Sequence, residues 1–519
     1  MTTITLKKLP SGISGLDLLA GGGVPENRTT LVSGTAGSGK TLLAAQFLTE
    51  GIRSYDEAGV FVTFEETPED IRRNVQSLDW EVERYEHDGT WRFIDASFDP
   101  GRDAAVVGEY DFGALLARIE HAVRSVGATR VVLDSIGAVF ARFHDPGSVR
   151  TELLRIAAGL RAMGVTSLMT AERRTDFGDV ARFGVEEFVA DNVIVLRNAL
   201  EEENRRRTVE ILKFRGADHR SGQFPFTIQP GEGLVVIALA GLELTQPSTN
   251  TRVTSGNDGL DTMCGGGYFR DSVVLVSGAT GTGKTLMATE FLAGGVAQEE
   301  RSIIFALEES RDQLFRNAAG WGYDFAALEA KGLLRVVCAY PETMSLEDHL
   351  VLMKNQIDEF RPHRIAVDSL SALERVANLR SFREFIIGLT SHIKHRQMAG
   401  FLTSTSGSLL GGPTITEGHI STLTDAIILL RYVEMFGEIR RGLAVLKMRG
   451  SPHDTRIHEY TIDGDGLHLR APYRNVVGIL AGTPSHVPSH ELDEVASMFG
   501  GDSISNTHVG MTDPDPFGG

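Results

Sequence analysis

Apolar runs bounded by turn residues recur along the chain and alternate with segments of helical length. Runs of this kind, which predict buried strands, lie at 29–33, 60–63, 130–133, 166–170 and 193–196. Residues 111–126 and 148–163 have the length of helices. Such alternation is typical of a largely parallel sheet covered by helices on both faces. We therefore predict an α/β fold.

The same pattern occurs twice. Ser-Gly-Ile-Ser-Gly-Leu-Asp at Ser11 returns as Ser-Gly-Asn-Asp-Gly-Leu-Asp at Ser255, and Lys-Phe-Arg-Gly at Lys213 returns as Lys-Met-Arg-Gly at Lys447. Landmarks repeated in one order indicate a tandem duplication. We predict a first lobe at 1–246, a second lobe at 247–484 and a flexible acidic tail at 485–519, with a possible short helix at 491–499.

Composition and charge narrow the possible functions. The 519 residues include 51 Lys and Arg against 69 Asp and Glu, a net charge of −18 that repels nucleic acid and anionic membranes. Two cysteines are too few for a disulfide framework or a four-ligand zinc site. A signal peptide and a membrane-spanning apolar stretch are both missing from the sequence. We expect a cytoplasmic protein that binds neither nucleic acid nor membrane.

Each lobe carries the pattern Gly-x-x-x-x-Gly-Lys-Thr between a predicted strand and a predicted helix. In this context the glycines turn backbone N–H groups onto a phosphate, and the helix presents its positive end to the same anion. The alternative is a glycine-rich turn that binds no ligand. One match could arise in this way, but two matches in register disfavour it. The predicted nucleotide-binding residues are Gly37, Ser38, Gly39, Lys40, Thr41 and Leu42, and Thr280, Gly281, Thr282, Gly283, Lys284, Thr285 and Leu286.

Magnesium ligands follow from the same motif. The Thr41 and Thr285 hydroxyls would hold Mg²⁺, and Asp134 and Asp368, each at the end of an apolar strand, would complete its shell. ATP and Mg²⁺ are therefore the expected cofactors.

An acidic pair follows a predicted strand in each lobe, Glu65-Glu66 in the first and Glu308-Glu309 in the second. A carboxylate at such a strand end can deprotonate the hydroxyl that attacks a phosphate. The alternative is that these residues cap the following helix. Recurrence in both lobes favours catalysis.

A basic cluster also occurs twice. Its members are Lys213, Arg215 and His219 in the first lobe and Lys447, Arg449 and His453 in the second. Alternate spacing along a strand places the Lys and Arg on one face, as expected if they reach the γ-phosphate in a neighbouring subunit. An ordinary solvated charge pair is the alternative. Arg205-Arg206-Arg207 is interpreted as a solvated turn or a subunit contact rather than a nucleic-acid patch.

The lobes differ at one segment. Ser421 and Thr422 stand where the first lobe has Glu187 and Phe188, and Thr416 lies close by. Hydroxyls in one lobe only suggest that one lobe passes phosphate to water and the other passes it to protein. They are equally compatible with turn or capping residues.

These motifs together resemble the KaiC family, the circadian-clock ATPases and autokinases of the RecA-like superfamily. The resemblance runs over nearly all of 5–485 and is most specific at His-Ile-Ser-Thr-Leu-Thr-Asp (419–425), at 205–216 and at 447–451. It implies tandem duplicated RecA-like P-loop NTPase domains. It further implies a homohexamer of two stacked rings, with ATP bound between neighbouring subunits.

The resemblance also implies roles for individual residues. Glu65 and Glu66 would activate water in a slow ATPase, and Glu308, also counted in the magnesium shell, would be the general base for transfer to Thr422 and Ser421 of the adjacent subunit. Thr416 would be a transient acceptor, and phosphate would be removed by its return to ADP. Ser77 and Trp321 occupy positions near the nucleotide. Residues implied to reach ATP across the interface are Lys213, Arg215, His219, Arg441, Lys447, Arg449 and His453. Phe214, Met448 and Ser451 are implied to bind the nucleotide as well.

Partners and alternatives complete the expectations. The segment at 107–124 resembles the KaiB-contacting region, whereas the divergent tail argues against dependence on KaiA; the output partner is not identified. One alternative is a DNA-dependent motor of the RecA or helicase type, which the acidic balance disfavours. The other is a signalling hub that uses ATP only to hold a ring together and has no kinase activity.

Overall fold

The computed structural model describes residues 6–97, 112–140, 145–182, 184, 186–201, 204–238, 248–406, 420–435, 437–474, 476–480 and 485–486. It divides into two compact units. The first comprises Met1–Gln246, Pro341–Glu359 and Val376–His392, and the second comprises Pro247–Tyr340, Phe360–Arg375 and Ile393–Gly519. Two helical segments of the second lobe are thus grouped with the first unit.

The first unit is built on a nine-stranded sheet in the order β11-β10-β9-β8-β3-β7-β6-β4-β5. Its strands, with the separate pair β1 and β2, are β1 Lys8–Leu9, β2 Val24–Pro25, β3 Thr29–Gly34, β4 Gly59–Thr63, β5 Trp91–Asp95, β6 Arg130–Asp134, β7 Thr166–Glu172, β8 Asn192–Glu201, β9 Asn204–Phe214, β10 Gln223–Gln229 and β11 Gly233–Val236. The six strands from β8 to β5 are parallel to one another, and β9, β10 and β11 extend the sheet by antiparallel pairing.

Helices cover this sheet on both faces. They are α1 Leu16–Leu19, α2 Lys40–Tyr55, α3 Pro68–Gln76, α4 Val82–His87, α5 Phe112–Val126, α6 Ile136–Phe140, α7 Pro146–Ala162 and α8 Glu186–Val189. Two apolar clusters, one around Phe47 and one around Ile119, contain side chains from the same strands. The central strands β3, β4 and β6 are buried throughout because both of their faces are covered.

The second unit repeats this sheet in the order β16-β15-β17-β18-β14-β19-β20-β21-β22. The strands of the second lobe are β12 Arg252–Val253, β13 Tyr268–Phe269, β14 Val273–Gly278, β15 Ser302–Ala306, β16 Leu334–Cys338, β17 Arg364–Asp368, β18 Ala399–Thr405, β19 Ala426–Met435, β20 Glu438–Met448, β21 His458–Asp463, β22 Gly466–Pro472, β23 Val476–Val477 and β24 Ser485–His486. Its helices are α9 Asp258–Met263, α10 Lys284–Val296, α11 Arg311–Gly320, α12 Phe325–Ala330, α13 Leu346–Phe360, α14 Leu370–Arg375, α15 Leu379–His395 and α16 Ile420–Leu423, with a 3₁₀ turn at Pro341–Thr343.

The predicted tandem α/β fold is confirmed, and the predicted strands and helices lie within a few residues of their predicted ends. The sequence pattern did not reveal that the last strands of each sheet run antiparallel. The solvated turn predicted at 205–207 is wrong for Arg206, because this residue lies in β9 and its guanidinium pairs with Glu347 (2.9 Å) and Glu384 (2.7 Å). The alternative of a subunit contact stays a prediction. The helix predicted at 491–499 and nearly all of the acidic tail lie outside the described residues. Within the described residues, no helix combines the length and apolar character needed to cross a membrane.

Candidate active sites

The phosphate loop of each lobe joins the central strand of the sheet to a long helix. In the second lobe, β14 ends at Gly278 and α10 begins at Lys284. Gly281 and Gly283 have φ of +80° and +97°. A Cβ on Gly281 would lie 2.7 Å from the Tyr432 hydroxyl, and one on Gly283 would lie 2.6 Å from Ile462 Cδ1. Only glycine fits these two positions, so the narrow backbone turn predicted from the motif is present.

An anion fits both loops. Gly39 and Gly283 are the N-caps of α2 and α10, and within the described chain no side chain caps either helix. The first N–H groups of each helix and its positive dipole end therefore point to the loop. The Lys40 ammonium donates to Thr35 O (3.0 Å), and the Lys284 ammonium donates to Gly278 O and to Ala279 O (3.0 Å each). Both lysines are thus held over the loop, where a phosphate would meet them.

A hydroxyl and a carboxylate suited to magnesium meet beside each loop. Thr285 Oγ1 donates to Asp368 Oδ2 (2.6 Å), and Asp368 also accepts from Thr403. Burial raises the pKa of Asp134 and of Asp368 above the usual aspartate range, and the threonine hydrogen bonds oppose that rise. Among the described residues no group of three or more His, Cys, Asp or Glu is placed to hold a metal by itself. A cation here would need phosphate oxygens as further ligands, as expected for nucleotide-bound Mg²⁺.

The acidic pairs lie at the carboxyl edge of the sheet and do not cap helices. Thr67 caps α3, and Ser310 caps α11. The carboxylates instead accept side-chain hydrogen bonds that recur in the two lobes, from Ser135 to Glu65 (3.2 Å), Ser369 to Glu308 (2.8 Å), Asn74 to Glu66 (2.7 Å) and Asn317 to Glu309 (3.2 Å). The capping alternative is therefore wrong.

The two candidate bases differ in charge environment. Partial burial and then the nearby Glu172 carboxylate raise the pKa of Glu65. Burial acts in the same direction on Glu308, but hydrogen bonds from Arg375 and Ser369 outweigh it and leave the pKa of Glu308 below its usual value. Arg375 donates to Glu308 Oε1 at 2.7 Å. Burial raises the pKa of Glu66 and of Glu309.

A cavity of ≈ 390 Å³ opens beside the second phosphate loop. Its lining brings together many residues singled out in the sequence: Thr280, Gly281, Gly283, Lys284, Thr285, Leu286, Glu308, Glu309, Trp321, Asp368 and Arg441. Trp321 ends α11 at this cavity. Arg441 lies on β20 opposite Tyr432, so it lines the cavity of its own chain.

Sequence comparison relates both lobes to the same group of ATPases. A family model described as an ATPase, KaiC, matches residues 9–241 and again residues 253–472. The circadian clock protein KaiC3 of Synechocystis is 58% identical over 494 residues, which cover 95% of this chain and 98% of that protein. The circadian clock oscillator protein KaiC of Thermosynechococcus vestitus is 51% identical over 494 residues, covering 95% of each chain.

The chain belongs to the KaiC family. The two family matches coincide with the two lobes, so tandem RecA-like domains and ATP binding by an ATPase fold, both expected from the sequence, are confirmed.

The hydroxyl pair of the second KaiC domain lies at the opposite edge of the sheet from its phosphate loop. Ser421 and Thr422 belong to α16, which precedes β19. β19 runs parallel to β14, with Ala426 opposite Val274. Gly278, where the phosphate loop begins, is four residues further along β14, roughly 13 Å away at about 3.3 Å per residue.

Two predicted basic residues hold this hydroxyl segment. The Lys447 ammonium donates to Ser421 O (2.7 Å) and Thr424 O (2.5 Å), and Arg449 donates to Thr422 O (2.8 Å). Thr424 is buried and donates its hydroxyl to Ile420 O, whereas Thr422 is exposed. Thr416 lies outside the described residues.

The first KaiC domain repeats this amino-edge arrangement without the hydroxyls. Lys213 donates to Glu187 O (3.0 Å) and Ala190 O (2.8 Å), and Arg215 pairs with Asp191 (3.3 Å). The solvated-pair alternative is therefore wrong for both lysines, which are bound to backbone carbonyls.

The remaining residues predicted to bind the nucleotide have the following surroundings within their own chain. Phe214 is buried, and its ring lies 5.6 Å from that of His219. Ser451 accepts from Arg252 (2.6 Å), while Met448 ends β20, and His453 lies between that strand and β21. Ser77 is exposed at the end of α3, where its hydroxyl donates to Asn74 O of the same helix.

Three residues that contact the acidic pairs were not predicted from the sequence. Asn74 and Asn317 follow their acidic pairs at the same spacing in both lobes, so the repeat contained a signal for them. Arg375 had no such signal, because it is 67 residues after Glu308 and its matching first-lobe position is Ala141, outside the described residues.

Proposed function

We propose that the chain is an ATP-hydrolysing serine/threonine autokinase of a timing system, in which the first lobe hydrolyses ATP and the second phosphorylates a neighbouring copy. The observation that carries this proposal is the placement of the second-lobe groups. The phosphate loop, Glu308 and Asp368 lie at the carboxyl edge of the sheet, and Ser421 and Thr422 lie at its amino edge. A loop cannot serve hydroxyls at the far edge of its own sheet, so transfer between chains fits this geometry.

The reacting groups of the second lobe have separate roles in this proposal. Lys284 and the first turn of α10 would hold the phosphates, and Thr285 with Asp368 would hold Mg²⁺, which would supply positive charge beside the transferred phosphoryl group. Glu308 takes the proton of the incoming Thr422 or Ser421 hydroxyl. The hydroxyl oxygen forms a bond to the γ-phosphorus while the bond to the β-phosphate oxygen breaks, and ADP leaves. The reverse reaction returns the phosphoryl group to ADP and accounts for dephosphorylation.

The first lobe has the same parts without the acceptor hydroxyls. Lys40, Thr41 and Asp134 would bind MgATP, and Glu65 with Glu66 would orient and deprotonate water. Glu187 and Phe188, at the positions of Ser421 and Thr422, offer no hydroxyl for transfer. Hydrolysis is therefore the reaction proposed for this lobe.

A ring assembly follows from the need to bring two edges together. In a homohexamer of two stacked rings, the amino edge of one subunit would face the carboxyl edge of the next. Lys447 and Arg449 hold the acceptor helix, so they would arrive at the neighbouring nucleotide together with the acceptors. Lys213 and Arg215 would do the same in the first ring, with His219 and His453 beside them.

Partners are proposed from the family relationship. The relatives described above are named as circadian clock proteins, which supports a timing role. A KaiB-like protein would bind the segment at 107–124, whose described part, 112–124, makes up most of α5. There α5 and the edge strand β5 line a groove of ≈ 430 Å³. Dependence on KaiA is not proposed, because the tail departs from the family sequence.

Mapping of phosphorylated residues tests the proposal. Full-length protein incubated with MgATP should gain phosphate on Ser421 or Thr422, seen by intact mass and peptide mapping. The double variant Ser421→Ala/Thr422→Ala should lose that gain while retaining first-lobe ATP hydrolysis, and Thr262→Ala, which removes an exposed hydroxyl on α9, serves as a control. ATP hydrolysis by a wild-type chain that never gains phosphate would contradict the autokinase.

A further inference from the structure

The helix that follows each phosphate loop presents one polar side chain to the outer hairpin of its sheet. In the first lobe this residue is Gln46 on α2, and in the second lobe the matching residue is Glu290 on α10. Both are buried, at 2% and 4% exposure. An amide and a carboxyl group of nearly equal shape thus occupy corresponding places, but only the carboxyl group can titrate.

In the first lobe, both the oxygen and the nitrogen of the Gln46 side-chain amide bind the β10–β11 hairpin. Its Oε1 accepts from Leu234 N (2.7 Å), and its Nε2 donates to Glu232 O (3.0 Å) and Leu234 O (3.3 Å). A Cβ on Gly233 would lie 2.6 Å from Gln46 Oε1. This side chain therefore satisfies donors and acceptors of the β10–β11 turn at once.

Glu290 repeats one half of this arrangement. Its Oε1 accepts from Leu467 N (2.8 Å), and a Cβ on Gly466 would again lie 2.6 Å from that oxygen. The carboxyl group also accepts a hydrogen bond from the Asn257 side chain, so it does not repeat the donation by which Gln46 binds two backbone carbonyls. A protonated carboxyl group at this buried place carries no charge, whereas a carboxylate there bears the cost of a charge removed from water.

No Lys or Arg neutralises Glu290 among its described neighbours. The groups facing it are Asn257, which also hydrogen-bonds to Leu467 O (2.7 Å), His468 on β22, and the phenols of Tyr268 and Tyr323. His468 is partly exposed and hydrogen-bonds to Asp463 (2.9 Å). Burial raises the pKa of Glu290 to about 7, and the hydrogen bonds from Leu467 N and Asn257 oppose that rise.

The hairpin that Glu290 holds also contacts the phosphate loop. Tyr460 on β21 donates its hydroxyl to Thr282 O (2.5 Å). Ile462, on the same strand, lines the nucleotide cavity beside Gly283. Strand β21 therefore connects the β21–β22 turn, where Glu290 binds, to the loop that would bind phosphate.

We propose that Glu290 is a proton-controlled positioning residue for the second nucleotide site: protonated, it fastens the β21–β22 hairpin against the phosphate loop, and ionised, it loosens that hairpin and weakens nucleotide binding. The first lobe, with Gln46, lacks this response. The proposal depends on nucleotide binding to the second lobe and not on phosphoryl transfer to Ser421 or Thr422.

The direction with pH follows from linkage. A carboxyl group whose pKa is raised in the closed structure favours that structure at low pH, and this advantage falls as pH rises from 4.5 to about 7. Between pH 6 and pH 8, the equilibrium for opening the hairpin should increase about tenfold, given a pKa near 7 when closed and 4.5 when open.

Hydrogen exchange tests the hairpin directly. In wild-type full-length protein, exchange at the Leu467 amide, corrected for the intrinsic effect of pH, should rise about tenfold from pH 6 to pH 8. The amide of Leu234, bound to Gln46, should show no such rise. Glu290→Gln should abolish the rise at Leu467, and Gln46→Glu should create one at Leu234.

Nucleotide binding tests the consequence. ADP titration followed by Trp321 fluorescence, a reporter in the second-lobe cavity, should show weaker binding at pH 8 than at pH 6 in the wild type, beyond the change seen in Glu290→Gln. Equal pH dependence of Leu467 exchange or of ADP affinity in wild type and Glu290→Gln would overturn the proposal. Because ADP carries no transferable γ-phosphate, loss of the autokinase would leave both measurements intact.

Discussion

Arg375 donates a hydrogen bond to Glu308 at 2.7 Å, and this contact distinguishes the candidate base of the second lobe from that of the first. Glu65, the matching first-lobe residue, has the Glu172 carboxylate nearby, and no arginine acts on it among the described residues, which omit 141–144. The pKa of Glu308 is therefore lowered and that of Glu65 raised. As the pH falls, Glu65 therefore becomes protonated before Glu308, although the two lobes share one fold.

Removing the arginine should shift the pH dependence of autophosphorylation. In Arg375→Ala the pKa of Glu308 rises, because burial is no longer outweighed by the hydrogen bond. A base works only when deprotonated, so the acidic limb of the autophosphorylation rate against pH should move to higher pH. Initial rates of phosphate gain, measured by intact mass between pH 5.5 and pH 8.5, check this shift.

The control for that variant is Lys331→Ala, an exposed cation at the end of α12. It should leave the profile in place, and the first-lobe ATPase should be unchanged in both variants. An Arg375→Ala protein with the wild-type profile would show that the arginine does not set the ionisation of Glu308.

The first lobe should respond in the opposite direction when Glu172 is replaced. Strand register places Thr405 of the second lobe where the first has Glu172, since these residues pair with Gly278 and Gly34 respectively. Glu172→Thr removes a carboxylate that raises the pKa of Glu65. The acidic limb of first-lobe ATP hydrolysis should then move to lower pH, measured by phosphate release in a Glu308→Gln background. An unmoved limb would contradict the assignment of Glu65 as the titrating base.

A buried ion pair should dominate the stability of the second lobe. The Arg364 guanidinium is fully buried and donates to Glu300 (2.8 Å), to Thr254 O (2.7 Å) and to Phe291 O (2.9 Å). Glu300→Gln leaves the arginine charge uncompensated, which should cost about 3 kcal/mol of unfolding free energy. Urea unfolding, monitored by hydrogen exchange in peptides from β17 for this variant and from α5 for the comparison variant below, measures the loss in each unit.

An exposed pair provides the comparison for that variant. Glu120→Gln removes the partner of Arg124 at the surface of α5, and this pair should contribute less than about 1 kcal/mol. Equal losses for Glu300→Gln and Glu120→Gln would mean that burial of Arg364 carries no special cost.

The tandem fold, the phosphate loops and the strand-end aspartates could be predicted from the sequence, whereas the arginine beside Glu308 could not. The phosphate loops and Asp368 depend on local patterns, a glycine spacing and an apolar strand, and the duplication made each pattern count twice. Arg375 reaches Glu308 only through the order of strands in the sheet, so local spacing contains no trace of it.

The edge of the sheet at which Ser421 and Thr422 lie could be found only from the structure. The sequence placed Ser421 shortly before a strand, but only the parallel pairing of β19 with β14 shows that this segment and the phosphate loop lie at opposite ends of the sheet. Likewise, Lys447 looked like a solvent-facing or ligand-facing cation and in fact binds the carbonyls of the acceptor helix.

Phosphate transfer between chains is the central claim, and mixing two inactive variants tests it most directly. Glu308→Gln retains the acceptors and loses the base, whereas Thr416→Ala/Ser421→Ala/Thr422→Ala retains the base and loses the acceptors. Neither should gain phosphate alone. After subunit exchange in MgATP, phosphate should appear on Ser421 or Thr422 of the Glu308→Gln chains, identified by their mass. Two results together would contradict transfer between chains. The Glu308→Gln chains would stay unphosphorylated in the mixed assemblies, and wild-type chains diluted into an excess of Glu308→Gln chains would be phosphorylated.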